Sequence, residues 1–260
     1  MGRFGKLKTA DFGYTMPVND PAVDRPPYYY RNIESMCITY ETDYETAAEM
    51  VPVDLEFADD PPVVQVMISD FGFSTLGPYK ELDICFSVLY KGKKYAYIPN
   101  LFVTQEIPLI AGREIWGYAK KLASVIEIRR EREEVIGVVE RPAGNRIVTA
   151  VMRPERNVEA NVWNDASCDL ISIKLIPSAE EYREPDVVQM IGCGYRLFPI
   201  VGTDGITELW TGKGGLIWNN PTELDKLYKA PVKRIIDCTY GWFNIYLPYG
   251  YVLKDYKKNP

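Results

Sequence analysis

Two adjacent lysines, Lys120 and Lys121, follow a run of aromatic and small apolar residues in GREIWGYAKKLASV, residues 112–125. A lysine amine can transfer protons when the protein holds it beside a reacting group. Most lysine pairs nevertheless lie on a solvated face, because a charged side chain is rarely buried without a partner. The pair alone leaves both interpretations open, and the solvated one is the more common.

The chain contains no histidine, and this restricts the chemistry available to it. Ser-His-Asp and Cys-His catalysis, histidine general bases and histidine-ligated metals are all excluded. The stretch IGCGYRLF, residues 191–198, offers G-x-G but lacks the third glycine of a phosphate-binding loop. Proton transfer in an enzyme of this composition falls to Glu, Asp, Tyr, Lys or Cys, and we expect no metal and no cofactor.

Length and composition are those of a globular protein. The 260 residues are 47% hydrophobic and 25% charged, enough for one large domain or two small ones. The net charge of −6 gives no electrostatic footprint for nucleic acid or an anionic membrane. No apolar run approaches the roughly 20 residues of a membrane span, and the start lacks the apolar segment of a secretory signal. Five scattered cysteines without a C-x-x-C pair predict reduced thiols in a cytoplasmic protein.

Most segments alternate with period two between turn residues, which predicts strands. The predicted strand regions are residues 36–42, 62–73, 82–102, 124–131, 135–152, 167–177 and 233–253, with hairpin connections at YKGKKY and ERPAGNR. Capping signals predict three short helices. They are residues 43–50, opened by a capping box of Thr42 and Glu45; residues 105–117, with Thr104 as a cap; and residues 220–230, with Asn220 as the cap and Pro221 at the first helical position. We expect a single domain over residues 1–260, mainly antiparallel β with few packed helices.

The stretch around the lysine pair is similar to the active-site segment of acetoacetate decarboxylase, G-R-E-x-x-x-x-P-K-K-L. Four further segments resemble that family in the same order along the chain, over roughly residues 28–256. They are YETDYETAAEMVPVDLE, LGPYKE, APVKRIID and YLPYGYVLKDY. The chain is therefore identified as a member of the acetoacetate decarboxylase-like superfamily. The resemblance implies an α+β fold with a large antiparallel sheet, curled into a cone or double layer with peripheral helices. It also implies a homo-oligomer, a tetramer or larger.

The resemblance assigns Lys120 as the lysine that forms a Schiff base with a substrate carbonyl. That reaction needs a neutral amine, and at an ordinary pKa near 10.4 only about one lysine in a few thousand is neutral at pH 7. Family members activate this amine with an apolar pocket or a neighbouring cation. Neighbouring residues on a strand face opposite sides, so we expect Lys121 to point away from Lys120. Desolvation is then the larger cause of activation.

The sequence departs from the family at two polar positions. Decarboxylating members carry an arginine in an N-R-E stretch and two glutamates. The corresponding stretch here is RNIESM, which places Ile33 at the arginine position. The first glutamate position falls near Val66, on a predicted strand with no acid nearby, whereas the second is retained as Glu81. Arg31 precedes Ile33 by two residues, on the same predicted strand face, and could partly substitute.

These departures fit the pyruvate aldolase–dehydratase branch of the superfamily better than a true decarboxylase. The expected reaction is a Lys120 imine of pyruvate that adds to an aldehyde and loses water, with little or no CO₂ release from acetoacetate. Two alternatives remain open: decarboxylation of acetoacetate or another 3-oxo acid, with Arg31 or another cation replacing the missing arginine, and a small-molecule binding protein that has lost catalysis.

The remaining candidate site residues follow from the same comparison. Tyr249 and Tyr251, two apart on the last predicted strand, could move protons, with packing as the alternative. Glu81 could act as an acid or base, or lie on a surface loop. Substrate-binding candidates are Trp116, Tyr118, Arg31 and Arg113, and supporting candidates are Lys121 and Glu114; a purely structural role for Arg113 and Glu114 is the alternative.

Overall fold

The computed structural model describes residues 2–159, 168–220 and 222–258. Its strands are β1 Tyr28–Glu41, β2 Glu56–Phe57, β3 Val63–Phe71, β4 Phe73–Ser74, β5 Tyr79–Tyr90, β6 Lys93–Val103, β7 Lys120–Leu122, β8 Val125–Glu131, β9 Glu134–Glu140, β10 Arg146–Asn157, β11 Asp169–Ile176, β12 Val187–Cys193, β13 Arg196–Pro199, β14 Leu209–Trp218, β15 Arg234–Leu247 and β16 Gly250–Asp255. The α-helices are α1 Tyr44–Ala47 and α2 Glu106–Ala111, and α2 continues as a π-helical turn over Gly112–Trp116. Single 3₁₀ turns lie at Thr9–Asp11, Ala48–Met50 and Leu227–Lys229.

All of these strands belong to one sheet. Its main path runs β16-β12-β11-β6-β5-β3-β1-β15-β14-β10-β9-β8, and β2, β4, β7 and β13 add to it at the sides. The pairs are antiparallel except where β6 meets β7 and β11. The predicted mainly antiparallel α+β class is therefore confirmed. At the β5–β6 hairpin, Lys91 and Gly92 both have positive φ, 49° and 76°, as the favoured two-residue hairpin turn requires.

The sheet curls until its far end packs on its middle. Gly137 of β9 lies against Ile68 of β3 and Met36 of β1, where a Cβ would come within 2.6 Å of Ile68 Cδ1 and 2.8 Å of the Met36 sulfur. Strands that are distant along the sheet thus form two facing layers. Successive side chains of β3 face opposite sides of the sheet. Val64, Val66 and Ile68 are buried in the core, and Gln65 and Met67 face a cavity on the other side.

The helices predicted over residues 43–50 and 105–117 are present, with α1 continuing as the 3₁₀ turn Ala48–Met50 and α2 as the π-helical turn Gly112–Trp116, but their caps differ from the predicted ones. The cap of α1 is Asp43, which accepts from the Thr46 N–H, since the Thr42 hydroxyl donates to the Pro231 carbonyl. Helix α2 begins after Gln105, because the Thr104 hydroxyl accepts from the Lys80 N–H.

The helix predicted over residues 220–230 is reduced to the 3₁₀ turn Leu227–Lys229. Here the Asp225 carboxylate is held by Lys121 and Arg141, and such tertiary contacts override helix propensity. The predicted first helical residue, Pro221, lies outside the described residues. No helix in the described part of the chain is long and apolar enough to cross a membrane.

Candidate active site

The cavity beside β3 has an empty volume of about 1070 Å³, part of which is open to solvent. Its walls come from β1, β3, β5, β6, β7, β11 and β15, from Tyr118 just before β7, and from the segment around β13. Most of the lining side chains are aromatic or aliphatic. The ionisable carboxyl and amine groups among them belong to Glu81, Asp83 and Lys120.

Lys120 is the buried nucleophile candidate. It begins β7, which pairs with β6 so that Lys120 lies beside Leu101. Its side chain is 7% exposed, and Nζ lies 2.6 Å from Oε2 of Glu81, whose side chain is 9% exposed. The Lys120 Nζ also lies 5.5 Å from the centre of the Tyr79 ring and 6.0 Å from that of Tyr118. The solvated-face interpretation of Lys120 is therefore excluded, and Glu81 lies on β5 rather than on a surface loop.

The glycine that opens the GRE stretch makes room for this lysine. A Cβ on Gly112 would come within 2.6 Å of both Cδ and Cε of Lys120, closer than real Cβ contacts. The Arg113 guanidinium donates to the Lys120 carbonyl at 3.2 Å, and Arg113 itself is exposed. Gly112 and Arg113 therefore hold Lys120 in place, and neither Arg113 nor Glu114 is among the described lining residues.

Asp83 is a second buried acid that the sequence argument missed. It follows Glu81 by two residues on β5, so both carboxyls face the cavity. Burial raises the pKa of Asp83 well above its usual range, and the negative charge of Glu81 raises it further, against the opposing effect of Lys120. Both effects favour the neutral form of the Asp83 carboxyl. The sequence could have revealed Asp83, because in KELD it follows Glu81 by two residues and so faces the same side of a strand.

Lys121 points away from the cavity, as the strand alternation predicted. Its Nζ lies 2.7 Å from Oδ1 of Asp225, which also binds Arg141 at 3.0 Å on its other oxygen. Lys121 ties β7 to the 3₁₀ turn near Leu227 rather than facing Lys120.

Trp116 lies behind the cavity wall instead of forming it. Tyr118 lines the cavity, and Trp116 stacks on it with ring centres 5.5 Å apart and an angle of 12° between the planes. The Trp116 Nε1–H donates to the Pro248 carbonyl at 3.1 Å. The prediction holds for Tyr118 as a lining residue and is corrected for Trp116, which supports Tyr118 from behind.

Arg31 cannot occupy the position of the missing arginine, because β1 is irregular there. Its register against β15 shifts between Tyr30 and Ile33, and Asn32 has a φ of +53°. Arg31 and Ile33 therefore do not share a face, as residues two apart on a regular strand would. Ile33 is fully buried, while Arg31 is exposed and donates to the Tyr30 carbonyl.

Val66 does not face the cavity either. It packs in the core at 1% exposure, and its neighbours Gln65 and Met67 are the cavity-facing residues of β3. An acid does face the cavity beside β3, because Asp83 of β5 pairs directly with Met67.

Tyr249 and Tyr251 are not brought to Lys120. Tyr249 precedes β16, and the Tyr251 hydroxyl donates to Asp169 at 2.9 Å, where Lys93 and Arg196 also bind. Neither tyrosine is among the described lining residues. The phenols that do line the cavity are those of Tyr30, Tyr79, Tyr118 and Tyr195, and burial raises the pKa of each.

Lys120 is the one cationic side chain among the described lining residues. The cavity also contains the thiols of Cys37, Cys85 and Cys168, and burial raises the pKa of each thiol, that of Cys37 to about 12. Within the described residues no three His, Cys, Asp or Glu side chains are grouped to hold a metal ion.

Comparison with known proteins agrees with this geometry. The model of the acetoacetate decarboxylase family matches residues 15–257. The chain is 30% identical over 250 residues to Decarboxylase DEC1 of Cochliobolus heterostrophus, covering 91% of this chain and 92% of that one. It is 30% identical over 247 residues to acetoacetate decarboxylase of Acidiphilium cryptum, covering 94% of this chain and 95% of the relative.

Solved structures give the same picture. The acetoacetate decarboxylase of Legionella pneumophila superposes with a TM-score of 0.83 at 26% identity, covering 99% of this chain and all of the other. The enduracididine biosynthesis enzyme MppR, solved with the condensation product of pyruvate and imidazole 4-carboxaldehyde, superposes with a TM-score of 0.77 at 18% identity. The match covers 98% of this chain and 100% of the MppR chain. At 18% identity, this similarity shows a shared fold and nothing further.

Proposed function

The chain belongs to the acetoacetate decarboxylase family, and on that premise we propose that Lys120 forms an imine with a 3-oxo acid, which then loses CO₂. Members of this family are enzymes, and a buried lysine facing two acids in an apolar cavity is suited to lyase chemistry. The observation that carries the choice of reaction is the charge inside the cavity.

Imine formation uses the contact between Lys120 and Glu81. Their 2.6 Å hydrogen bond lets Glu81 accept a proton from the ammonium group, which leaves a neutral amine to attack the substrate ketone. The carbinolamine must then lose water, which requires a proton on its hydroxyl group. Asp83, whose neutral form is favoured by burial and by Glu81, is the donor that fits this step.

The next step, loss of CO₂, removes the negative charge of the substrate carboxylate and the positive charge of the iminium nitrogen. The electrons of the bond between the α-carbon and the carboxylate flow to the iminium nitrogen, giving CO₂ and a neutral enamine. Apart from the iminium itself, the substrate carboxylate has no cation among the described lining residues, and Glu81 and Asp83 are close by. Such an environment destabilises the substrate carboxylate more than the transition state for CO₂ loss, in which the negative charge is being neutralised. This difference accelerates the reaction. Protonation of the enamine at carbon and hydrolysis of the imine then release the ketone.

Aldol condensation and dehydration with pyruvate is the second candidate. It is supported by Ile33 at the arginine position of decarboxylating members and by the fold shared with MppR. We rank it second, because a pyruvate enamine keeps its carboxylate after the nitrogen has lost its charge. That anion would then lie in an apolar cavity with no described cation beside it, and unpaired buried charges are costly.

Borohydride trapping and product analysis test the proposal. Acetoacetate or pyruvate is added with borohydride, and the mass of the Lys120 peptide is measured for wild type, Lys120→Ala and the matched control Lys121→Ala. In parallel, CO₂ release above the spontaneous rate and the absorbance of an unsaturated 2-oxo acid, from pyruvate and an aromatic aldehyde, are recorded. We expect CO₂ release and trapping that survive Lys121→Ala and disappear in Lys120→Ala.

The other outcomes separate the alternatives. New absorbance without CO₂ release would favour the aldolase–dehydratase over the decarboxylase. An intact, folded protein that shows neither trapping nor turnover with either acid would favour the binding protein.

A further inference from the structure

We infer that the preferred substrate is a 3-oxo acid with an aliphatic chain considerably longer than the methyl group of acetoacetate. This inference rests on the proposed decarboxylation and concerns which substrate the same site accepts. It follows from where Lys120 stands along the cavity and from the side chains on each side of it.

The register of the sheet locates Lys120 within the cavity. Lys120 pairs with Leu101 on β6, Leu101 with Asp83 on β5, and Asp83 with Met67 on β3, so these residues form one row across the sheet. The lining continues along β6 from Leu101 through Ile98 to Ala96. The five residue steps from Ala96 to Leu101 extend about 16 Å at about 3.3 Å per step. A four-carbon acid joined to Lys120 would leave most of that length empty.

The opposite direction from Lys120 is closed by aromatic rings. Phe71 and Tyr79 stack with centres 4.5 Å apart, and Tyr30 meets Phe71 edge-on at 5.2 Å. All three rings are buried. This compact end suits the carboxylate and the carbon it leaves, and the remainder of the substrate must extend the other way.

The long arm of the cavity is mainly apolar, although the phenol of Tyr195 also lines the cavity and interacts with Cys85. Ala96 pairs with Leu170 of β11, and both line the cavity together with Cys85 and Cys168. Because burial raises the pKa of these two thiols, they remain neutral and pack as small apolar groups. Gln65 is the exposed member of the lining. The arm thus provides apolar contact and no described cation for a second charged group, which fits an alkyl chain.

The apolar lining of the arm sets the size of the expected effect. Each methylene buried in an apolar site raises kcat/KM by about fourfold, equivalent to about 0.8 kcal/mol. We therefore expect a steep rise with chain length until the arm is full.

The test is a chain-length series with a matched pair of variants. The kcat/KM for CO₂ release is measured on acetoacetate, 3-oxohexanoate, 3-oxooctanoate, 3-oxodecanoate and 3-oxododecanoate, with the spontaneous rate subtracted. Leu170→Trp narrows the arm, and Leu175→Trp makes the same change on an exposed residue of the same strand. Thermal unfolding of both variants checks that they are folded.

We expect kcat/KM to increase by at least tenfold from acetoacetate to the best acid in the wild type. Leu170→Trp should lower kcat/KM for the longest acids by at least tenfold more than for acetoacetate, and Leu175→Trp should follow the wild type. A series in which acetoacetate is the best substrate would overturn this inference and leave the decarboxylation standing. Absence of CO₂ release from every acid would instead reject the proposed function itself. If Leu170→Trp does not fold, Ala96→Leu narrows the same arm and must shift the optimum to shorter acids.

Discussion

Replacing Asp83 with asparagine preserves the shape of the side chain and removes its titration, so it isolates the contribution of this buried acid. Asp83 is 7% exposed and faces Glu81, and both burial and that charge raise its pKa well above 3.8. In the unfolded chain the carboxyl returns to its ordinary pKa. Its favourable contribution to folding is therefore present below about pH 4 and is lost as the pH rises towards the folded-state pKa.

The size of the effect follows from proton linkage. For each pH unit over which Asp83 is protonated in the folded state and ionised in the unfolded state, the free energy of unfolding falls by about 1.4 kcal/mol. An asparagine at this position does not titrate and has no such dependence. As the pH rises from about 4 towards the folded-state pKa, the wild type should therefore lose stability relative to Asp83→Asn. The variant should be the more stable protein at neutral pH.

Activity should change in the opposite direction. An amide cannot supply the proton for loss of water from the carbinolamine, and positioned general acids contribute about 10²–10⁴-fold to rate. We expect Asp83→Asn to lower kcat by about 100-fold or more, with Lys120 still present in a folded protein. A purely structural residue would not combine higher stability with slower turnover.

Urea unfolding followed by tryptophan fluorescence at several pH values, together with CO₂ release, measures both effects. Asp186→Asn, on a half-exposed aspartate near Arg183, is the matched control and should show neither. A difference in stability between wild type and Asp83→Asn that does not change with pH, or an unaffected turnover, would refute the proposed role of Asp83.

Three further results are expected. Gly112→Ala should destabilise the protein by about 1–3 kcal/mol, as overpacking does, and should weaken imine trapping, because the new Cβ meets the Lys120 side chain; full trapping at wild-type stability would contradict this. Tyr251→Phe should leave kcat near the wild-type value, since the Tyr251 hydroxyl binds Asp169 outside the cavity. The partners of Asp169, including Lys93, lower its pKa to about 2 against the opposing effect of burial. The stability that this carboxylate contributes is therefore lost only as the pH falls below about 4, and acid unfolding of Asp169→Asn would check this. Light scattering at micromolar concentration should show a homo-oligomer, as the family resemblance predicts, and a species of monomer size alone would count against it.

Part of this site could be predicted from sequence because it is encoded in short, contiguous patterns. The GRE…KKL stretch carries Lys120, the glycine that admits it and the arginine that holds its carbonyl, all within a few residues. The opposite orientations of Lys120 and Lys121 follow from strand alternation alone. Glu81 could be identified in the same way, and the mainly antiparallel fold followed from the period-two pattern together with the family motifs.

The remainder depends on contacts between distant segments. A single irregularity in β1 turns Arg31 to solvent, and the curvature of the sheet decides that Gln65 and Met67, not Val66, face the cavity. The pKa of Asp83 is raised only because folding buries it beside Glu81. The sequence by itself therefore determined which residue could act as the nucleophile and which fold carries it. Only the tertiary structure decided which acids and which walls surround that nucleophile, because a one-residue change in register moves a strand side chain to the opposite face.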